Sequence, residues 1–163
     1  MMLGSLSVVV YALAAVTTVA SIGLDAVPDG GPHLLGRLAG TAVGVGGLIL
    51  AGWAVATMRR GILGAIRPVA GSVMRDGPYR YVRHPLYAGI ALSLMGFALG
   101  RGSASGLAAT VILFVPSAVW RALREERAMA QAFGPDWDGY RRRVGFMFPN
   151  PKMRSRSRTS SRP

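Results

Sequence analysis

Charge is missing from four long stretches of this chain, and each of them is apolar. Residues 1–24 carry no charge, and residues 38–58 carry none before Arg59 and Arg60 close the run. A third charge-free run covers the 16 residues 85–100 and a fourth the 19 residues 102–120. Between them, "GRGS" at 100–103 reads as a tight turn. A bilayer core of about 30 Å takes roughly 20 helical residues. The first, second and fourth runs meet that length and the third is slightly short. The pattern predicts an all-α integral membrane fold with about four transmembrane helices, the last two forming a helical hairpin. Residues 1–24 lack the basic start and short apolar core of a secretory signal, so they are expected to span the membrane. Gly40 with Gly44, and Gly96 with Gly100, are small-residue pairs at helical spacing that allow helices to approach closely.

The segments between the runs set an orientation. Loop 25–33 holds Asp25 and Asp29 and no arginine, whereas loop 59–84 holds Arg59, Arg60, Arg67, Arg75, Arg80 and Arg83. Arginine-rich loops stay cytoplasmic. Both termini are therefore expected on the cytoplasmic side of a plasma membrane, a bacterial inner membrane if the arginine bias reflects a GC-rich source.

Composition agrees with the pattern. Hydrophobic residues make up 51% of the 163 and charged residues 16%, against about 25% charged in a soluble domain. Mean hydropathy is +0.36. The net charge is +12, but residues 1–58 sum to −1 and the remainder carries the excess. That asymmetry points to an anionic surface near the second half. The absence of cysteine excludes disulfides, thiolate metal sites and cysteine nucleophiles. One membrane-embedded domain, 1–149, is expected, followed by a disordered basic tail, 150–163, suited to anionic lipid. Nucleic acid is not an expected partner, because no aromatic platform accompanies "RSRSR".

The exceptional stretch is "GPYRYVRHPLYAG", 77–89, polar and aromatic at the point where the third helix should begin. Asp76-Gly77-Pro78 is a turn signal. Pro85 suits the first turn of a helix, where its missing N–H costs nothing. His84 would stand at the helix entrance, with Tyr87 one turn further on a shared face. A second polar group, "VWRALREERAMAQAFGPDWDGYRRRV", reads as the fourth helix continuing out of the membrane. Arg121 and Glu125 lie four apart on one face. Glu125 and Glu126 are the only acids expected on a helix. A hairpin brings the His84 end and the Glu125 end to one membrane face, and that convergence marks a site. The bland readings are an interfacial aromatic and arginine belt and a simple surface ion pair. Two histidines are too few for a di-iron centre, and neither a nucleophile triad nor a phosphate loop is present. A basic, aromatic pocket with one carboxylate at the lipid boundary could hold a zwitterionic cofactor beside a lipophilic substrate.

The series Gly-x-Tyr, Arg-His-Pro-x-Tyr-x-Gly, Glu-Glu, Phe-Gly-x-x-aromatic-x-x-Tyr, over roughly 70–149, resembles the isoprenylcysteine carboxyl methyltransferases and their relatives, the membrane phospholipid methyltransferases. The resemblance implies S-adenosylmethionine as cofactor. It implies a cofactor pocket lined by Gly71, Ser72, Val73, Met74, Tyr79, His84, Pro85, Leu86, Tyr87 and Glu125, with Arg121 facing the substrate. It further implies a lipophilic or lipidated acceptor, a carboxylate first, with a phospholipid amine or a thiol as alternatives. No metal is expected. The competing reading from another class is a non-enzymatic four-span protein, a small transporter or assembly partner, but the apolar runs lack the ionisable group a transporter needs.

Overall fold

The computed structural model describes residues 2–24, 32–63 and 73–150. Gly71, Ser72, the loop aspartates Asp25 and Asp29, and the tail from residue 151 lie outside the described residues. Among the described residues the protein is all-helical. The order is α1 (Met2–Leu24), α2 (Leu34–Leu63), a 3₁₀ turn (Gly77–Arg80), α3 (Pro85–Arg101), α4 (Ala104–Ala109), α5 (Val115–Phe133) and α6 (Pro135–Arg143). A π turn, Thr110–Phe114, joins α4 and α5 into one rod, Ala104–Phe133. The wide turn directly precedes Pro116. Proline has no N–H for the carbonyl four residues back and crowds it, and a π turn relieves both problems.

Among the described residues two helical stretches are long and apolar enough to cross a bilayer, the 25 residues Leu34–Met58 and the 30 residues Ala104–Phe133. Only 28% and 33% of their most apolar windows are buried within the protein, so neither is the core helix of a soluble fold. Their outward faces are apolar, with Ile49 66% and Ile112 67% exposed. Val9–Leu24 and Pro85–Arg101 are shorter apolar helices. Three buried Ser and Thr hydroxyls on these helices are satisfied within the helix. Thr18 donates to Ala14 O at 2.8 Å, Ser93 to Gly89 O at 2.8 Å and Thr110 to Gly106 O at 2.7 Å.

The principal partner of α3 is α2, which packs along it through glycines. A Cβ added at Gly96 would collide with the backbone of Gly44 and Gly40, and one at Gly89 would come within 2.7 Å of Ala51 N. Gly40 faces Gly100 in the same way. The two small-residue pairs seen in the sequence thus meet each other across one helix–helix contact. At the far end of α3, Gly102 takes a left-handed conformation (φ 74°) and Ser103 N donates to Ala98 O at 2.9 Å. Ser103 Oγ then caps α4 by accepting from Gly106 N at 2.9 Å.

The second polar group is not one continuous helix. Gly134, at φ +49°, ends α5 and starts α6. Pro135 opens α6, Asp136 and Asp138 occupy its first turn, and Arg141, Arg142 and Arg143 its last, which complements the helix dipole at both ends. Glu125 and Glu126 are accordingly not the only helical acids, since α6 carries two more.

Candidate active site

The polar stretch 77–87 is held in shape by the chain that follows α6. Val82 and Gly145 form an isolated bridge, Arg83 N donates to Gly145 O at 2.8 Å and His84 N to Phe146 O at 3.1 Å. Tyr140 Oη donates to Tyr79 O at 2.7 Å, fixing the 3₁₀ turn to α6. Burial raises the Tyr140 phenol to about 12, so it stays a donor at any physiological pH. The Arg83 side chain is spent on the same clamp. Its Nη1 donates to Val144 O at 2.6 Å and Arg141 O at 2.9 Å, and its Nε donates to Glu126 Oε1 at 2.7 Å.

His84 caps α3 and Pro85 is its first residue, so the ring is presented at the helix entrance. Its Nε2 lies 3.3 Å from Glu126 Oε1. Burial lowers the His84 pKa, against the opposing pull of Glu126, so near neutral pH the ring is uncharged. The contact with Glu126 is then a hydrogen bond donated by Nε2–H, not an ion pair. That leaves Nδ1 as an acceptor, 4.0 Å from Glu125 Oε2. Glu126 also lies 3.6 Å from Arg141 Nε, and its side chain is only 6% exposed.

Glu125 has different surroundings. Its side chain is 39% exposed, and Oε1 accepts from Tyr87 Oη at 2.5 Å and pairs with Arg121 Nε at 3.2 Å. Arg121 Nε also donates to Tyr87 Oη at 2.7 Å, closing a triangle of guanidinium, phenol and carboxylate. The His84 and Tyr87 rings stack at 5.8 Å, and Tyr11 of α1 meets Tyr87 edge-on at 5.3 Å.

These groups surround a cavity of about 530 Å³, inside the roughly 300–1,000 Å³ typical of small-molecule sites. Val73, Met74 and Tyr79 line it ahead of α3, and His84, Pro85, Leu86 and Tyr87 line it at the α3 entrance. Arg121 and Glu125 face it from α5. Every site residue expected from the sequence that falls within the described residues therefore borders one cavity. Five further residues border it that the sequence reading did not assign to the pocket: Met58, Arg83, Met129, Phe133 and Trp137. Met129 and Phe133 continue the four-residue spacing of Arg121 and Glu125, and Phe133 and Trp137 are the Phe and aromatic positions of the Phe-Gly-x-x-aromatic-x-x-Tyr series, so the signals were present. The Trp137 residue is only 5% exposed and its Nε1 has no hydrogen-bond partner among the described residues, which costs about 1–3 kcal/mol while it stays unpaired.

The cavity offers one carboxylate, aromatic faces, a guanidinium and an apolar wall. That set accommodates a molecule bearing both charge signs and a flat ring. Among the described residues no three His, Cys, Asp or Glu side chains group as a metal site. No curated protein and no solved structure matches the chain. The family model described as phospholipid methyltransferase matches residues 36–136, from α2 through the cavity-lining turn of α3 and the whole of α5 into α6. The chain belongs to that family of integral membrane methyltransferases.

Proposed function

We propose that the cavity binds S-adenosylmethionine and directs its methyl group to a lipophilic acceptor at the cytoplasmic membrane face, a carboxylate first. The observation that carries this reading is the Arg121–Tyr87–Glu125 triangle opening into an otherwise aromatic and apolar cavity. The cofactor supplies an electrophilic methyl on a sulfonium and leaves as the neutral thioether. The protein's part is to hold and orient. Glu125 pairs with the ammonium of the cofactor, and the Tyr79 and Tyr87 rings offer negative faces to its sulfonium, an attraction of about 0.5–2 kcal/mol. His84, with Nδ1 as acceptor, receives a hydroxyl or ammonium hydrogen. An acceptor carboxylate is already an anion and needs no base, so positioning supplies most of the rate, worth about 7–11 kcal/mol when it is complete.

In this reading α1, α2, α3 and the rod Ala104–Phe133 all cross the membrane, α3 and the rod as a hairpin. The cavity then opens at the cytoplasmic interface, where Arg121 meets an acceptor headgroup. A second reading follows from the family's description: the acceptor is a phospholipid amine. An amine must shed a proton before attack, and neutral His84 is a base that borders the cavity.

The acceptor that takes the label separates the two, and Arg121 tests the contact with an anionic headgroup. The Arg121 fork matches a carboxylate or phosphate bidentately and lysine's ammonium does not. Arg121→Lys is expected to lower methyl transfer to lipophilic acids about tenfold or more and to leave S-adenosylhomocysteine affinity within about threefold, from the loss of one charge-assisted pair. The measurement is transfer of labelled methyl to a panel of lipophilic acids and to phosphatidylethanolamine. Unchanged acid methylation in the variant contradicts the carboxylate reading, and label on the phospholipid alone selects the amine.

A further inference from the structure

A second cavity, of about 490 Å³, shares no lining residue with the first. Both of the helices that are long and apolar enough to cross a bilayer border it, α2 through Trp53 and the rod through Val111 and Val115. Leu92 and Met95 of α3 complete the wall, and among the described residues no charged side chain lines it. The glycine contact sets α3 tightly on α2, whereas α3 meets the rod less closely, and the cavity occupies part of that looser contact. Along α3 it extends from Ala88 to Met95, about 10 Å at 1.5 Å per residue. Its other end is different. Tyr81 and Phe148 border it there and are 48% and 76% exposed. The Val82–Gly145 bridge holds their two segments side by side. Exposed arginines flank both segments, Arg80 directly before Tyr81, and Arg142 and Arg143 shortly before Met147.

We infer that this cavity holds one acyl chain of an anionic phospholipid from the surrounding bilayer, with the headgroup among Arg80, Arg142 and Arg143. The inference goes beyond methyl transfer and does not depend on the cofactor. Helix interfaces are close-packed, so a gap of this size beside crossing helices needs an occupant. Water would find no polar partners in it. The 13 residues after Asn150 bring a single large apolar side chain, Met153, too little to fill it. Hydrocarbon is the medium at this depth, and a chain anchored by a negative headgroup matches both the apolar wall and the basic mouth. The lipid is a resident of the fold and not the methyl acceptor, because Arg121 and Glu125 border only the first cavity.

The test is photolabelling and needs no turnover. The protein is reconstituted in phosphatidylcholine vesicles with a trace of phosphatidylglycerol or phosphatidylcholine that carries a diazirine on its acyl chain, and mass spectrometry reads the labelled residues. Phosphatidylglycerol is expected to label Leu92, Met95 and Val111 about fivefold or more above phosphatidylcholine, the effect of one arginine near the headgroup. Ile49 and Ile112, on outward faces, are expected to take both lipids to about the same extent. Ala91 lines the cavity, so Ala91→Phe fills it and should remove the excess label at those three positions. Arg80→Glu should abolish the preference for phosphatidylglycerol. If Ala91→Phe does not fold, Arg80→Glu carries the test, since Arg80 is exposed. Equal labelling of the cavity and the outward residues by both lipids overturns the assignment, and so does a preference that survives Arg80→Glu. Label on Ile49 and Ile112 with none in the cavity also overturns it, and a dimer by intact mass would then name a second copy of the chain as the occupant.

Discussion

Glu125 and Glu126 are neighbours in sequence, but a helix turns about 100° between them and gives them different surroundings. Glu126 points into the clamp, where Arg83 and His84 take its oxygen and burial leaves it 5% exposed. Glu125 points into the cavity, held by Tyr87 and Arg121 with part of the carboxylate open. The repeat of four from Arg121 made the choice of Glu125 readable from sequence. The job of Glu126 was not readable, because it depends on Arg83 and on a chain segment some twenty residues beyond it. His84 carries a testable consequence. Its folded pKa lies below the ordinary value of about 6.5, so the folded state favours the neutral ring. The unfolded chain then binds more protons, and stability rises with pH across this window. The contribution is complete above the unfolded pKa and is lost as pH falls below about 6.5 towards the folded value. The thermal midpoint in detergent is expected to fall from pH 8 to pH 5, with a shallower slope in His84→Asn, which cannot titrate. Parallel slopes for the two proteins would count against a buried neutral His84.

At the scale of elements, the α2–α3 pair is the firmest part of the frame, because glycine backbones meet without intervening side chains. The sequence showed both small-residue pairs, but spacing within one helix does not name the partner helix. The expected partner of α3 was the helix after it, and the glycines instead set α3 most closely against α2. Gly96→Leu drives a side chain into the α2 backbone and should destabilise the fold by about 1–3 kcal/mol. Gly46→Ala is the control, since a Cβ there meets nothing within 4 Å. It removes a flexible residue from a helix and should be neutral or stabilising by up to about 1 kcal/mol. Thermal melts of the two variants decide the matter, and equal destabilisation would mean that the glycine contact is not what fixes the pair. The turn at 100–103 and the helix start at Pro85 were legible because Gly102 allows the positive φ of the turn and Pro85 fixes its own φ. The break at Gly134 between α5 and α6 was missed, because the whole stretch through "GPDWDGYRRR" read as one helix continuing out of the membrane. The stability of α6 comes from the proline start, the dipole-matched charges and the packing of Trp137 and Tyr140 against Val73 and Val144.

At the scale of the whole molecule, the family membership decides between an enzyme and a non-enzymatic membrane protein, which hydrophobic pattern alone could not do. The proposed topology follows from arginine placement. Reporter fusions at residues 30 and 163 are expected to report the outer side and the cytoplasm respectively, and an outer-side reporter active at residue 163 would reverse it. The acceptor was not legible, because acceptor chemistry is a matter of what meets Arg121 in the membrane plane. The central claim is that this chain moves a methyl group from S-adenosylmethionine to a lipophilic acceptor through the cavity at Glu125. Purified protein in lipid vesicles, given cofactor labelled in the methyl group, is expected to carry label into the organic phase of a lipid extract. Glu125→Gln, folded by its melting curve, should lose about 10–100-fold of cofactor affinity, the effect of one charge-assisted hydrogen bond, and transfer correspondingly less label at sub-saturating cofactor. Label in the organic phase at the same rate for both proteins, or none with the wild type, would contradict the account.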